Sequence, residues 1–239
     1  MDILYVLGTG SQWEDRELMY SIRSSERYCK GLKRIFLTGD FKPYFLNNKI
    51  IFNQVKDTNK IKPVLNTLDK ILWTIKNTNI SENFLLMNDD FFFIKPVDII
   101  NYPFACKGEL REKNTNNTTY RESEVDTKNY LKSLKIQTLN FDVHCPIIIN
   151  KTDFLRLADH WEQVKNRKYG MLYRSIYCNY YHKTPFMRAD CKIYDINGVD
   201  GLKKKIQPYD CFSSSDQSLY QGIVGYLFGK FMKQSSYER

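Results

Sequence analysis

The chain has 239 residues, with 36 Lys and Arg against 27 Asp and Glu for a formal charge of +9. That length can bury a large core as one domain, expected here to span 1–239. The charge favours polyanionic or phosphate-bearing partners such as DNA, RNA or an anionic glycan. Six cysteines without a CxxC pair suggest neither a zinc knuckle nor a thioredoxin-like redox site, and no apolar run approaches the ~20 residues that span a bilayer.

MDILYVLGTG lacks the basic segment and apolar core of a signal peptide, so reduced thiols and a soluble, cytoplasmic protein of a bacterium or phage-infected host are expected. In that compartment Asn-x-Ser/Thr matches such as Asn116 to Thr118 have no bearing. The basic residues are scattered, apart from Lys203-Lys204-Lys205 and the Lys56, Lys60, Lys62 group, as on any solvated cationic surface.

Ile3 to Leu7 reads as a buried strand running into Gly8-Thr9-Gly10-Ser11. Glycine allows a ligand close to the backbone, where free N–H groups can meet a phosphate or a base; a bare turn has the same sequence. Glu14 to Lys30 has helical spacing, with Gly31 as its stop, and Ile35 to Thr38 reads as a second strand. A strand, helix and strand in this order begin an α/β fold with a parallel sheet. Pro43 to Asn48 is a loop, Lys49 to Phe52 a third strand and Asp57 to Lys62 a polar connection. Val64 to Lys76 then places Leu65, Leu68, Ile71, Leu72 and Ile75 on one helix face.

Next comes FLLMNDDFFF, Phe84 to Phe93, in which an apolar strand runs straight into Asn88, Asp89 and Asp90. Two anions side by side in a half-dry site repel, so a cation is expected between them. Oxygen-only ligands favour Mg²⁺ or Mn²⁺, which one or two carboxylates usually share with substrate phosphates. A plain turn capped by Asp90 is the competing reading. Strand ends of open α/β sheets are where ligands bind, which agrees with the metal.

Residues 107–135 are polar, with Asn114 to Thr119 almost devoid of apolar side chains, and read as a mobile loop or lid. Phe141 to Ile149 is strand-like and carries His144 and Cys145; Thr152 to Val164 is an amphipathic helix. In Gly170 to Tyr181 several tyrosines surround Arg174, a pattern of a packed helix face or of a platform for stacking a sugar or base. Ser213-Ser214-Ser215-Asp216 precedes a helix over Leu219 to Phe231, and Asp216 or any of the three serines can cap it.

In this order the segments resemble the Stealth family of sugar-phosphate transferases and related small bacterial and phage glycosyltransferases. The likeness spans most of the chain. DILYVLGTGS is similar to the family's opening strand, and RELMYSIRSSERY with KRIFLTGDFKPYFLN to its second region. NFLLMNDDFFF is similar to the acidic strand end of that region. VHCPIII, RSIYCNYY, FSSSDQSL and SSYE fall where the later regions are expected. The opening strand departs from the family, with Val6-Leu7-Gly8-Thr9-Gly10 where a Trp-Val-Asp-Gly type sequence is usual. The resemblance implies a nucleotide-diphospho-sugar transferase (GT-A-like) core, with the metal at Asp89 and Asp90. It implies that His144, Arg174 and Asp216 share one cleft, that Asn66 lies near donor or acceptor, and that Arg23, Asn88 and the Gly8, Thr9, Gly10 loop attend the nucleotide-sugar, a UDP-sugar being expected.

Three functions remain open. The lead is metal-dependent glycosyl transfer from a nucleotide-sugar to a hydroxyl, on a cell-surface glycan or on a hydroxymethylated base of phage-type DNA. In it His144, or secondly Asp216, removes the hydroxyl proton, and Arg174 contacts phosphate oxygens. Plain structural roles compete at each position: a core histidine, a helix-face salt bridge for Arg174, an N-cap for Asp216. Sugar-1-phosphate transfer to a polysaccharide is second. A nucleic-acid-binding protein without catalysis is third, and it leaves the acidic strand end without a purpose.

Overall fold

The computed structural model describes residues 1–59, 63–115 and 118–239. Lys60 and Lys62 of the basic group, the end of the Asp57-to-Lys62 connection, and Asn116 with its neighbour 117 lie outside the described residues.

Asp2–Val6, Ile35–Gly39, Ile51–Gln54 and Asn83–Asn88 are parallel strands, and Ile147–Asn150 joins antiparallel at the edge. Asp2–Val6 lies at the centre, flanked by Ile35–Gly39 and Asn83–Asn88. The chain therefore winds outward on one side of its first strand and returns to build on the other. Ile3 to Val6 and Phe84 to Met87 within these first and fourth strands are apolar because both sheet faces are covered. Leu4, Val6, Phe84 and Leu86 pack beneath the helix Pro63–Asn77 with Leu68 and Ile71, while Ile3, Tyr5, Leu85 and Met87 meet Leu18 and Ile22 of the helix Arg16–Tyr28. The alternation follows from side chains pointing to opposite faces at successive strand positions. At the carboxyl edge Gly39 allows two strand ends to converge, since a Cβ there would lie 2.9 Å from Leu7 Cβ.

The serines of Arg16–Tyr28 are buried, and Ser21 and Ser24 bind backbone beyond their own helix. Ser21 Oγ donates to the carbonyl of Phe91, and Ser24 Oγ accepts from the N–H of Phe93 at 3.0 Å. Tyr5 Oη joins Ser21 and Ser25 Oγ at 3.1 and 2.8 Å. This helix thus fixes the strand Phe91–Phe93, which follows the acidic turn and pairs antiparallel with Cys211–Ser214. In Ser24→Ala the Phe93 N–H is left buried without its acceptor, at a cost of about 1–3 kcal/mol. A fall in Tm of a few degrees by calorimetry is expected, and an unchanged Tm would show that the serine contact is dispensable.

Several elements differ from the sequence reading. The third strand is Ile51–Gln54 rather than Lys49 to Phe52, and only Ile147–Asn150 of the Phe141-to-Ile149 segment is strand. Phe141 to His144 is irregular because side chains take its N–H groups: Ser175 Oγ that of Phe141, Asn140 Oδ1 that of Asp142, and Asp190 Oδ1 that of His144. The helix expected over Thr152 to Val164 breaks at Leu157 into Lys151–Arg156 and Ala158–Asn166. Within 107–135, expected as a mobile loop, Thr119–Ser133 is a helix. Polar contacts anchor it. Glu124 accepts from Asn140 Nδ2 at 2.9 Å, Thr127 Oγ1 from the Leu172 N–H at 2.9 Å, and Lys128 donates to the Leu110 carbonyl at 2.7 Å.

In the aromatic helix, Tyr173–Tyr180, Tyr173 and Tyr177 are buried against Phe154. It is a packed face. All six cysteines are free and buried. Lys203-Lys204-Lys205 sits exposed on the last turn of Gly198–Ile206, a solvated face.

Candidate functional site

Where a doubly wound sheet reverses its strand order, the carboxyl ends of neighbouring strands diverge and leave a crevice for a ligand. Here that place lies outside Val6 and Asn88, and the residues set there are Asp89 and Asp90. Both are half-buried on the turn between Asn83–Asn88 and Phe91–Phe93. Ser213 Oγ donates to Asp90 Oδ2 at 2.6 Å. Burial, then the charges of Asp90, Glu17 and Asp15, push the Asp89 carboxyl up to about 8. Burial also raises Asp15 and Glu17, and for Glu17 the charges of Asp15 and Asp90 add to it. Four carboxylates thus crowd a partly dry strand end.

Hard oxygen donors of this kind fit Mg²⁺ or Mn²⁺. Among the described residues no three His, Cys, Asp or Glu side chains converge closely enough to hold an ion by themselves. The set fits an ion shared between two carboxylates and substrate phosphates, the usual way such ions are bound.

Asn88, on the last strand position, lines a cavity of about 180 Å³ with Thr67, Phe91, Asp142, His144 and Arg174. His144 is held from two sides. Its Nδ1 lies 3.0 and 2.9 Å from the two Asp190 carboxylate oxygens, and its N–H donates to Asp190 Oδ1 at 3.1 Å. Lys107 Nζ sits 3.1 Å from the same carboxylate. Burial opposes ionisation of Asp190, but the hydrogen bond and charge of His144 and the charge of Lys107 outweigh it and hold the carboxyl well below its ordinary range.

Arg174 is buried; its Nη1 donates to the carbonyls of Val143 and Cys145 at 3.0 and 2.7 Å, on either side of His144. Its guanidinium is buried rather than displayed on a helix face, and it also lines the 180 Å³ cavity. It fixes the His144 segment.

The Gly8, Thr9, Gly10 loop is exposed at the same sheet edge, and a side chain at Gly8 or Gly10 would meet open space. Beside it a cavity of about 700 Å³ is lined by Thr9, Ser11, Asp15, Phe41, Lys42 and Tyr44. Asp15 connects this cavity to the acidic turn, where its charge helps to raise Asp89. Glu14 and Asp15 both have left-handed backbone, φ 54° and 58°. Such strain in non-glycine residues collects at ligand sites.

Three other expected residues take different places. Asn66 staples the preceding loop, accepting from the Asn59 N–H at 2.9 Å and donating to its carbonyl at 2.8 Å. Arg23 clasps Glu238 through Nε and Nη2 at 2.8 and 2.6 Å and donates to the Phe231 carbonyl, so it ties down the C-terminal segment. Asp216 is exposed at the first position of a short helix capped by Ser215, whose Oγ accepts from the Ser218 N–H at 3.2 Å. From that segment it is Ser213 that reaches the acidic turn.

Two residues escaped the sequence reading. Asp190 lies in a segment without periodicity, and only an unpaired histidine in search of an acceptor signals it. Lys70 is buried in Pro63–Asn77; its Nζ donates to the Leu7 carbonyl at 2.7 Å and meets Asp57 and Asp40 at 2.5 and 3.6 Å, binding three carboxyl-edge loops together. A Lys on an otherwise apolar helix face was its one sequence trace.

Among the described residues no helix is long and apolar enough to cross a membrane. No protein-family profile matches the sequence, nor does any curated protein. The Stealth resemblance therefore rests on its motifs. Solved structures do match. The galactosyltransferase LgtC in complex with donor and acceptor sugar analogues superposes with a TM-score of 0.53 at 12% identity, over 99% of this chain and 98% of the other. An active-site mutant of LgtC gives 0.54 at 12% identity with the same coverage. The chain therefore has the mixed α/β, GT-A-like fold expected for nucleotide-sugar transferases.

Proposed function

We propose that this protein is a glycosyltransferase that moves a sugar from a nucleotide-sugar to an acceptor hydroxyl. The observation that carries the reading is the grouping of Asp89, Asp90, Glu17 and Asp15 at the sheet's carboxyl edge, where burial and then mutual repulsion lift Asp89 far from its ordinary range. Such a site is completed by a cation and a phosphate-bearing ligand. Likeness of fold to a galactosyltransferase solved with donor and acceptor sugar analogues supports the same reading.

In this reading the nucleotide occupies the 700 Å³ cavity, against the Gly8 to Gly10 backbone and the exposed rings of Phe41 and Tyr44. Its pyrophosphate reaches Asp89 and Asp90. A Mg²⁺ or Mn²⁺ held there with the donor phosphates would supply Lewis-acid stabilisation of the leaving group's charge. Ser213 orients Asp90, Arg174 holds the His144 loop, and His144 takes the proton of the acceptor hydroxyl.

Sugar-1-phosphate transfer is the second reading, favoured by the shared order of the Stealth-like motifs. For a DNA acceptor, which would need aromatic rings to hold a flipped base, Tyr173 and Tyr177 are buried and Tyr180 is the exposed ring of that helix. Incubation with a panel of nucleotide-sugars and Mn²⁺, followed by identification of the released nucleotide, separates the readings. Nucleoside diphosphate is the expected product. Monophosphate would move the protein to phosphosugar transfer, and release of neither from any donor would overturn both.

A further inference from the structure

His144 lines a second cavity of about 540 Å³ besides the small one it shares with Asn88. We propose that this larger cavity is the acceptor subsite, that it takes an uncharged saccharide, and that Asp190 is the positioning residue that makes His144 the base at its floor. The inference rests on the glycosyltransferase reading and adds to it the acceptor's class and place.

The dyad comes first. Asp190 meets Nδ1 of His144 with both oxygens, at 3.0 and 2.9 Å, and takes the His144 N–H as well, at 3.1 Å. Ring and main chain are gripped by one carboxylate. A neutral imidazole with its Nδ1 proton on a carboxylate carries its free lone pair on Nε2, the tautomer a base needs. Lys107, 3.1 Å from Asp190, balances the carboxylate so that a proton gained at Nε2 stays on the ring.

The lining comes next. Tyr120 and Tyr194 supply ring faces, and the exposed Glu109 carboxylate supplies acceptors; Glu124 and Asn140 lie behind the wall with their oxygens already hydrogen-bonded. The charges balance in number, Lys107, Arg111 and Arg121 against Glu109, Glu124 and Asp190: Arg121 Nη1 lies 2.5 Å from Glu124 and Lys107 is paired with Asp190. A phosphate-rich polymer would meet as many carboxylates as cations there, and an apolar ligand would take water from Glu109 and Arg111 and return nothing. A sugar has hydroxyls that both donate and accept, and C–H faces that lie on aromatic rings, so it satisfies both halves of the wall.

In the step that follows, His144 Nε2 takes the proton of the acceptor hydroxyl and the acceptor oxygen bonds to the anomeric carbon. The bond from that carbon to the nucleoside diphosphate breaks, its electron pair leaving on the phosphate oxygen.

The test uses the full chain, Mn²⁺ and the donor identified by nucleotide release. Methyl glycosides and neutral disaccharides are compared with sugar phosphates and hydroxymethylcytosine DNA as acceptors. Neutral saccharides are expected to accept the sugar. Asp190→Asn is expected to lower kcat about 10²-fold or more, the range of positioned acid–base groups, with both KM values within twofold of wild type. Asp190→Glu should recover part of the rate. Tyr194→Ala, at an exposed position where folding is not at stake, should raise the acceptor KM roughly tenfold and leave the donor KM alone. Should Asp190→Asn fail to fold, the Tyr194→Ala split and the acceptor panel decide. Transfer confined to DNA or sugar phosphates, an unchanged kcat in folded Asp190→Asn, or a Tyr194→Ala effect on the donor KM would each overturn the inference while leaving glycosyl transfer standing. No nucleotide release from wild type would remove the transferase reading itself.

Discussion

Asp89→Asn is expected to abolish sugar transfer and yet to melt at a higher temperature than the wild type when divalent ions are chelated at pH 8. The folded protein pushes this carboxyl up to about 8, through burial and then the charges of Asp90, Glu17 and Asp15, whereas in the unfolded chain it titrates near 4. A carboxyl raised in the folded state contributes its stability in the protonated form. That stability is complete below the unfolded value and drains away as pH climbs from about 4 through about 8. At pH 8 the ion-free wild type bears most of the penalty, and asparagine, shaped like the neutral carboxyl, bears none.

Each tenfold change in proton affinity between folded and unfolded chain is worth about 1.4 kcal/mol, but the rise is shared among four interacting carboxylates on a partly solvated turn. That sharing leaves about 2 kcal/mol, or about 4–8 °C in Tm for a chain of this size. Activity should fall about a thousandfold, the several kcal/mol that a metal's charge stabilisation supplies. Adding Mn²⁺ should raise the wild-type Tm and leave Asp89→Asn where it was. Calorimetry at pH 5 and pH 8, with EDTA and with Mn²⁺, reads all of this. A variant no more stable than wild type at pH 8 in EDTA would show that the acids do not strain one another.

The acidic turn was legible in the sequence because an apolar run meeting two aspartates is costly unless something is bound there. The parallel sheet was legible for a related reason: Ile3 to Leu7 and Phe84 to Met87 have no polar face, so both faces had to be covered. The partners of the site were not. Asp190 and His144 are 46 positions apart in segments whose backbones are irregular, and no period links them. Arg23 lies in an Arg- and Ser-rich helix that looked like ligand chemistry, but its carboxylate is Glu238, brought 215 positions back by the closing of the chain. Thr119–Ser133 hid for a different cause. Its anchors are Glu124, Thr127 and Lys128, buried through hydrogen bonds that hydrophobic periodicity does not register. A polar stretch can thus be a fixed wall of a cavity, as Tyr120 and Arg121 are here.

Arg174→Met should unfold the protein some 10 °C or more below wild type, which separates its role from that of a phosphate hook. The arginine is 4% exposed, lies over the Phe91 ring at 5.6 Å, and donates to the carbonyls on both sides of His144. Phe91 follows directly on Asp90, so one side chain joins the acidic turn to the segment that carries the base. Burial works against the charge, but the Tyr173 hydroxyl and the Asp142 carboxylate more than offset it and hold the arginine's pKa above its ordinary value. Methionine fills similar volume, leaves the Val143 and Cys145 oxygens without a donor, and removes a buried positive charge that Asp142 stabilises from a distance. Removing one partner of a buried charged group costs about 3–5 kcal/mol. At about 2–4 °C per kcal/mol for a domain of this size, that is the expected fall. Arg174→Lys keeps the charge but loses the rigid planar group whose Nη1 donates to both carbonyls, so it should fall between the two. An arginine that touched only ligand phosphate would cost activity at constant Tm. A Met variant melting within about 2 °C of wild type, less than 1 kcal/mol on the same scale, would return Arg174 to that role and leave the His144 loop without the brace assigned to it.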